Sequence, residues 1–434
     1  MKKYDFETLL ERKGHDALAI DALGLPGFPG YIQTSLEENE QGKKYEHAAG
    51  KGEAKAVLST EKYPIWGDYK PIPMWVADMN FIAFEGMISA IKERLNHPSL
   101  GYYLTRDEYY EAIIKWHERE YGIEGLKKEH LMYHNSVLGG IVSALMCFTV
   151  PGEEILIHSP TYTGFTHAIE DAGRRLLKSE LIQDQDGVWK MNYEAMEQKI
   201  KEHHIHVVLL NTPHNPTGRI FTQEELKKAY DIFKRYDCVV LSDEIWADLR
   251  QVNLCHIPAS QVNEDAKQRT ISFYSIGKSF SAAALTSAYS VIYNKTLQNQ
   301  LMKQASLTHY NKQNVLSMYA LIGAYSDEGS NYLRQLRAVL DQNLRLLADF
   351  FNTIPGVKAY QPEGTYMFFP DFKDYLLDQK MTQQDLVEAF WKMGVMGYSA
   401  APFFHQTAMR LNAALPTAFI EEVILRLKKG VFAD

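Results

Sequence analysis

The chain has 434 residues, 46% of them apolar and 23% charged. That length suits a large domain with a smaller companion, and that composition excludes disordered, collagen-like and membrane-embedded classes. A formal charge of −8 with no dense run of Lys and Arg excludes a binder of phosphate backbones; the expected partner is a small molecule, with no nucleic acid and no membrane.

The first residues, MKKYDFETLLERKGHD, interrupt every apolar group with charge, so no signal-peptide core is expected. Cys147, Cys238 and Cys255 are odd in number and lie mostly within apolar runs, which resembles buried thiols of a reducing compartment and points to the cytoplasm. Residues 33 to 62 are charged, poor in large aliphatics and punctuated by Gly42, Gly50 and Gly52, the pattern of an exposed insertion. The longest apolar stretch, Ile141 to Val150, is about half the ~20 residues that a spanning helix needs.

From Glu154 onward, short β-rich runs alternate with longer amphipathic ones, which predicts an α/β fold with a mainly parallel central sheet flanked by helices. Strands are expected at 154–160, 206–213, 238–245, 270–276 and 287–294. Between the second and third, Leu226, Tyr230 and Phe233 recur at helical spacing behind Thr222, a fitting cap. In open sheets of this kind ligands bind beyond the carboxyl ends of the strands, so the residues closing each run are the ones to inspect. Residues 331–354 place Leu333, Leu336, Leu340, Leu344, Leu347 and Phe351 on one face of a long helix ending at Pro355 and Gly356. Such a helix would lead into a smaller α+β domain built from residues 1–75 and 325–434, around a large domain of 76–324, with a short strand near 365–369 and a helix over 417–429.

Several motifs fall at these strand ends and helix starts: SVLGG from Ser136, SPTY from Ser159, NTPHNPTG from Asn211, SDEIW from Ser242, SIGKSF from Ser275 and MRLNAALP from Met409. GKS alone could open a nucleotide P-loop, but that loop needs glycine at position 272, where Ser272 stands. His203, His204 and His206 lead into the run HVVLL without partner cysteines, the pattern of solvated strand-edge residues, so no metal site is expected.

Taken in order, the motifs resemble the aspartate-aminotransferase superfamily of pyridoxal 5′-phosphate (PLP) enzymes, fold type I. The resemblance implies that Lys278 carries PLP as a Schiff base and returns as general base at the substrate Cα, two tasks that suit a primary amine. It assigns Asp243 to the pyridine nitrogen, where a carboxylate keeps the ring protonated and hence an electron sink; the alternative for an acid at a strand end is a helix cap. Asn215, projected by a turn rich in Pro and Gly, would hydrogen-bond the phenolic oxygen, and Tyr162 would stack on the ring. The phosphate would rest on the backbone NH groups of Val137 and Leu138 at a helix N-terminus and on the Ser275 hydroxyl. Tyr102 would reach the phosphate of a neighbouring subunit, which implies a homodimer with shared sites, and Arg410 would grip the substrate α-carboxylate.

Within the superfamily, PMWVADMNF at 73, SDEIWADL at 242, GKSFSAAALTSAYSVI at 277 and PEGTYMFF at 362 are most similar to the cystathionine β-lyase branch. That likeness implies Cα proton abstraction and β-elimination from a cysteine-type amino acid to thiol, pyruvate and ammonia; the alternatives are aminotransfer to a 2-oxo acid and a regulator that keeps PLP only as ligand. No basic DNA-binding segment precedes residue 75 and Lys278 is retained, which disfavours the regulator. The chain departs from the branch at Trp246 (usually His), Asn80 (usually Asp), the loop AAPFFHQTAM and the 33–62 stretch, and from the superfamily at Thr286, where many members have a phosphate-binding Arg.

Overall fold

The alternation of side chains along the β-rich runs puts the central sheet between two helical layers. The computed structural model describes residues 2–8, 10–25 and 70–433; the expected insertion at 33–62 lies outside them. In chain order the strands are β1 (Ile72–Pro73), β2 (Leu131–His134), β3 (Glu154–Ser159), β4 (Arg175–Gln183), β5 (Trp189–Met191), β6 (Val207–Asn211), β7 (Val239–Asp243), β8 (Thr270–Ser275), β9 (Ala288–Val291), β10 (Met367–Phe368), β11 (Val395–Met396), β12 (Tyr398–Ser399) and β13 (Met409–Asn412). Eight of them form one sheet in the order β2-β9-β8-β7-β6-β3-β4-β5. The pairings from β8 through β4 are parallel.

All five strands expected from the sequence are present, and they occupy adjacent places in this sheet. On one face Ile155, Ile157, Leu209 and Phe273 pack with Ile141 and Leu145 of the helix Val137–Phe148. On the other, Leu156, Val208, Leu210 and Val240 pack with Leu226, Tyr230 and Phe233 of the helix Gln223–Arg235. Each such side chain contributes roughly 1.5–3 kcal/mol by leaving water, and burial on both faces explains why these runs are continuously apolar. Thr222 caps the second helix as expected, accepting from the Glu225 NH while the Glu225 carboxylate accepts from the Thr222 NH.

The run at 287–294 differs from the parallel expectation, because β9 pairs antiparallel with both β8 and β2. The connection between β8 and β9 contains turns and no helix, so no crossover carries the chain back for a parallel pairing. Lys278 sits in that connection. The strands β2, β4 and β5 were not anticipated; β4, RLLKSELIQ, mixes charged and apolar residues with only two buried positions, so its signal is weak.

The long helix runs from Asp327 to Phe351, starting earlier than the apolar periodicity suggests because Ser326 caps it by accepting from the Gly329 NH, with Asp327 and Glu328 in the first turn. Its first half, through Leu333, Leu336 and Leu340, belongs to one apolar core; its second half, through Leu344, Leu347 and Phe351, belongs to another that includes Phe372, Phe390 and Val423. Beside this second core lie the antiparallel sheet β10-β13-β12 and the parallel pair β1-β11, which ties the segment at residue 72 to the C-terminal part of the chain. A helix over Thr417–Gly430 closes it.

The cysteines correct one expectation. All three are free, but only Cys238 is buried, while Cys147 is half-buried and Cys255 exposed. Cys255 follows Leu254 in a loop whose few apolar residues do not make a strand, so a local apolar neighbour did not signal a core. Among the described residues, no helix is long and apolar enough to cross a membrane.

Candidate active site

Three parallel strands end in polar residues on the same side of the sheet: Asn211 on β6, Asp243 on β7 and Ser275 on β8, which runs two residues beyond Phe273, the partner of Asp243. Asn211 and Asp243 are in register. Beyond these carboxyl ends opens a cavity of ≈ 550 Å³, in the place where parallel sheets bind ligands. Lys278, Asp243, Asn215, Ser275, Tyr162, Val137, Leu138 and Arg410 all line it. Tyr102 does not; it is fully exposed on the single chain.

Each side chain is held by its element. Asn211, which the sequence reading passed over although it opens NTPHNPTG, donates Nδ2–H to the Asp243 carbonyl at 3.0 Å and accepts the Asn215 NH at 2.7 Å. One amide thus fixes the turn bearing Asn215 against the strand bearing Asp243. The Asp243 carboxylate, 5% exposed, accepts the Ile245 NH at 3.0 Å, so it shapes a turn and caps no helix. Burial pushes its pKa up to about 7, against the pull of the Ile245 NH and of Lys278.

Lys278 Nζ donates to the Ala77 carbonyl at 2.8 Å and stands 5.4 Å from the centre of the Trp246 ring. Burial lowers its pKa to about 8; Arg410 pushes the same way, and Asp78 and Asp243 oppose. Ala77 is a backbone acceptor, invisible to any motif. Arg410, on β13, is 6% exposed; its Nη2 donates to the Trp75 carbonyl at 2.9 Å and its Nη1 reaches Asn215 Oδ1 at 3.5 Å. Burial lowers its pKa to about 10, and its Nε has no acceptor among the described residues. Such a buried, under-partnered guanidinium suits a carboxylate ligand.

The helix Val137–Phe148 starts at the cavity wall. Ser136 Oγ satisfies the Gly139 NH, so the cavity edge is left with the helix's first amides, which have no intrahelical acceptor. Gly139 is required there, since a Cβ would come within 1.7 Å of the Tyr310 ring. Tyr162 borders the cavity next to Asp243 and Arg410, whose charges act on its hydroxyl in opposite directions; burial raises its pKa. A Cβ on Gly164 would meet the Tyr162 ring at 2.3 Å, so that glycine lets the ring take its orientation. Thr286, in place of the superfamily's arginine, and Trp246, in place of histidine, both line the cavity. Asn80 does not line it; Arg12 donates to its Oδ1 at 3.1 Å and pairs with Asp78 beside it.

These groups fit PLP. A buried carboxylate with no ion-pair partner among the described residues suits the pyridinium, a buried amine suits the aldehyde, and open helix amides suit the phosphate. His203, His204 and His206, expected as solvated strand-edge residues, are exposed at the opposite ends of the strands, with His203 2.7 Å from Glu154.

The chain is 28% identical over 368 residues to cystathionine β-lyase PatB of Bacillus subtilis, covering 85% of this chain and 94% of that protein. It is 29% identical over 366 residues to protein MalY of Escherichia coli, covering 83% and 92%. The PLP-bound C–S lyase of Staphylococcus hominis superposes with a TM-score of 0.81 at 26% identity, covering 99% of this chain and 98% of that one. Residues 77–427 match the family aminotransferase class I and II, and the chain belongs to that family of PLP-dependent enzymes.

Proposed function

We propose that the enzyme is a C–S β-lyase that releases thiol, pyruvate and ammonia from cysteine-type thioether amino acids such as cystathionine. The observation that supports it most is the convergence of Lys278, Asp243 and Arg410 on one cavity in a chain that is similar over nearly its whole length to C–S lyases. When bound, PLP supplies a conjugated sink for the electron pair left at Cα. Asp243 would hold the proton on the ring nitrogen; a pair of opposite charges about 3 Å apart at an effective dielectric of ~20 interacts by roughly 5 kcal/mol. Asn215 would serve the phenolic oxygen, the amides of Val137 and Leu138 with Ser275 would hold the phosphate, and Tyr162 would cover the ring, all of them lining the cavity. Arg410 would hold the substrate α-carboxylate and so set which Cα bond faces Lys278 across the cavity. Lys278 would take the Cα proton, the electron pair freed from the Cα–H bond would expel the thiolate from Cβ, and the proton on Lys278 would pass to that thiolate. The aminoacrylate product would take up water to give pyruvate and ammonia.

The same proposal includes a homodimer in which Tyr102, exposed on one chain beside the exposed Leu100 and Leu104, serves the partner's phosphate, and a cytoplasmic setting suited to free thiols. The deciding assay offers purified enzyme cystathionine in one vessel and an amino acid with a 2-oxo acid in another. Pyruvate in the first is expected. A new amino acid in the second with no pyruvate in the first would overturn the lyase in favour of the aminotransferase.

Arg410→Ala should lower kcat/KM by about 10²–10³-fold, the loss of a buried charge-assisted fork, while the visible band of the cofactor persists. A loss below about threefold would mean that another group receives the carboxylate.

A further inference from the structure

Resting on the β-lyase reading, we infer that Tyr398, Phe403 and Trp75 form a side-chain subsite that selects thioethers with an apolar or aromatic substituent on sulfur over substrates with a second charged head.

Tyr398 on β12 is the direct antiparallel partner of Arg410 on β13, so both side chains leave the same face of the ribbon, toward the cavity they line. The loop between them turns through Ala401–Phe403 and lays the Phe403 ring 4.6 Å from the Arg410 guanidinium carbon. Tyr398 stands edge-on to Phe403 at 5.9 Å and 6.3 Å from Trp75, whose own carbonyl holds Arg410. The wall beside the carboxylate site is therefore aromatic on three sides.

This wall is built rather than draped. The Thr161 NH donates to the Phe403 carbonyl at 3.0 Å, pinning the loop to the residue before Tyr162. Asp371 accepts from Thr407 Oγ1 at 2.7 Å and His405 Nε2 at 3.2 Å, and Ser399 Oγ donates to Gln383 at 2.9 Å. Phe403 is 1% exposed, and its loop is where the sequence departs from its branch. Among the described lining residues the charged side chains are Lys278, Asp243 and Arg410, all committed to cofactor or α-carboxylate. What remains beside Arg410 can desolvate an apolar group and offers no counter-charge to a distal amino-acid head.

The test uses the holoenzyme with S-benzyl-L-cysteine, S-methyl-L-cysteine and L-cystathionine, following pyruvate. S-benzyl-L-cysteine should exceed cystathionine in kcat/KM by roughly tenfold or more, the discrimination open to an apolar pocket. Phe403→Ala should cut the benzyl-to-methyl ratio by roughly tenfold; taking the ratio cancels any disturbance of Arg410. The same subsite is read without elimination from the visible absorbance change when L-homophenylalanine, or the analogue of cystathionine with carbon in place of sulfur, binds. Tighter binding of the aromatic analogue supports the subsite even if no substrate yields pyruvate, an outcome that would sink only the lyase reading. Equal or better use of cystathionine and its analogue, or an unchanged ratio in both Phe403→Ala and Tyr398→Leu, would overturn the inference.

Discussion

Lys278→Ala is expected to abolish the visible absorbance band of the bound cofactor and to lower turnover by more than about 10³-fold, since the proposed function gives the covalent anchor and the Cα base to one amine. Folding should survive, because Nζ makes a single hydrogen bond, to the Ala77 carbonyl. Lys278→Arg should fail as completely, for a guanidinium keeps the charge but cannot condense with an aldehyde. Burial also sets a pH signature. With its pKa lowered from 10.5 to about 8, about a tenth of the Lys278 amine is neutral at pH 7, against roughly 0.03% for an unperturbed lysine. The rate at which cofactor-free protein takes up PLP should therefore rise with pH and level off above about 8. A rate still climbing tenfold per pH unit at pH 9, or a visible band that persists in Lys278→Ala, would place the covalent anchor on another lysine.

This amine was legible through the resemblance of the ordered motifs to a known superfamily, and the strand pattern agreed with where those motifs fall. Asp243 and Ser275 end strands whose apolar runs are unmistakable, Lys278, Asn215 and Tyr162 stand just past such strands, and parallel order brings those ends together. Thr222 and the long helix declared themselves in the same way, through a cap and a period. What stayed hidden depends on distant pairing. The strands β1, β11 and β12 have two residues each, too few for any period, yet they bring Trp75, Tyr398 and Arg410 into one wall. Ala77 acts through its carbonyl and leaves no trace in residue type. The antiparallel turn of β9 follows from a missing crossover helix rather than from composition. Tyr102 is solvent-exposed on the single chain, so its proposed role toward a partner's phosphate has no counterpart in a fold read from one copy.

Asp243→Asn should separate stability from function in opposite directions. The Asp243 carboxyl has its pKa raised from 3.8 to about 7 by burial, so the folded cofactor-free chain binds that proton more tightly than the unfolded chain does. Between about pH 4 and pH 7 the folded state therefore holds more of it, and stability falls as pH rises through this window; above pH 7 the whole cost is present. Three pKa units correspond to about 4 kcal/mol, an upper bound, since Asn must itself be solvated by the Ile245 NH and its neighbours. The cofactor-free Asp243→Asn protein should thus melt several degrees higher than the parent at pH 8, and the two should converge near pH 4. With PLP bound the order of merit reverses: without an anion to hold the ring proton, turnover should drop by about 10²–10³-fold, part of the roughly 5 kcal/mol that the ion pair supplies. A variant with parental kcat would show that the ring nitrogen is protonated from elsewhere. One no more stable than the parent at pH 8 would show that the carboxylate is not strained without its cation, and the two measurements fail independently.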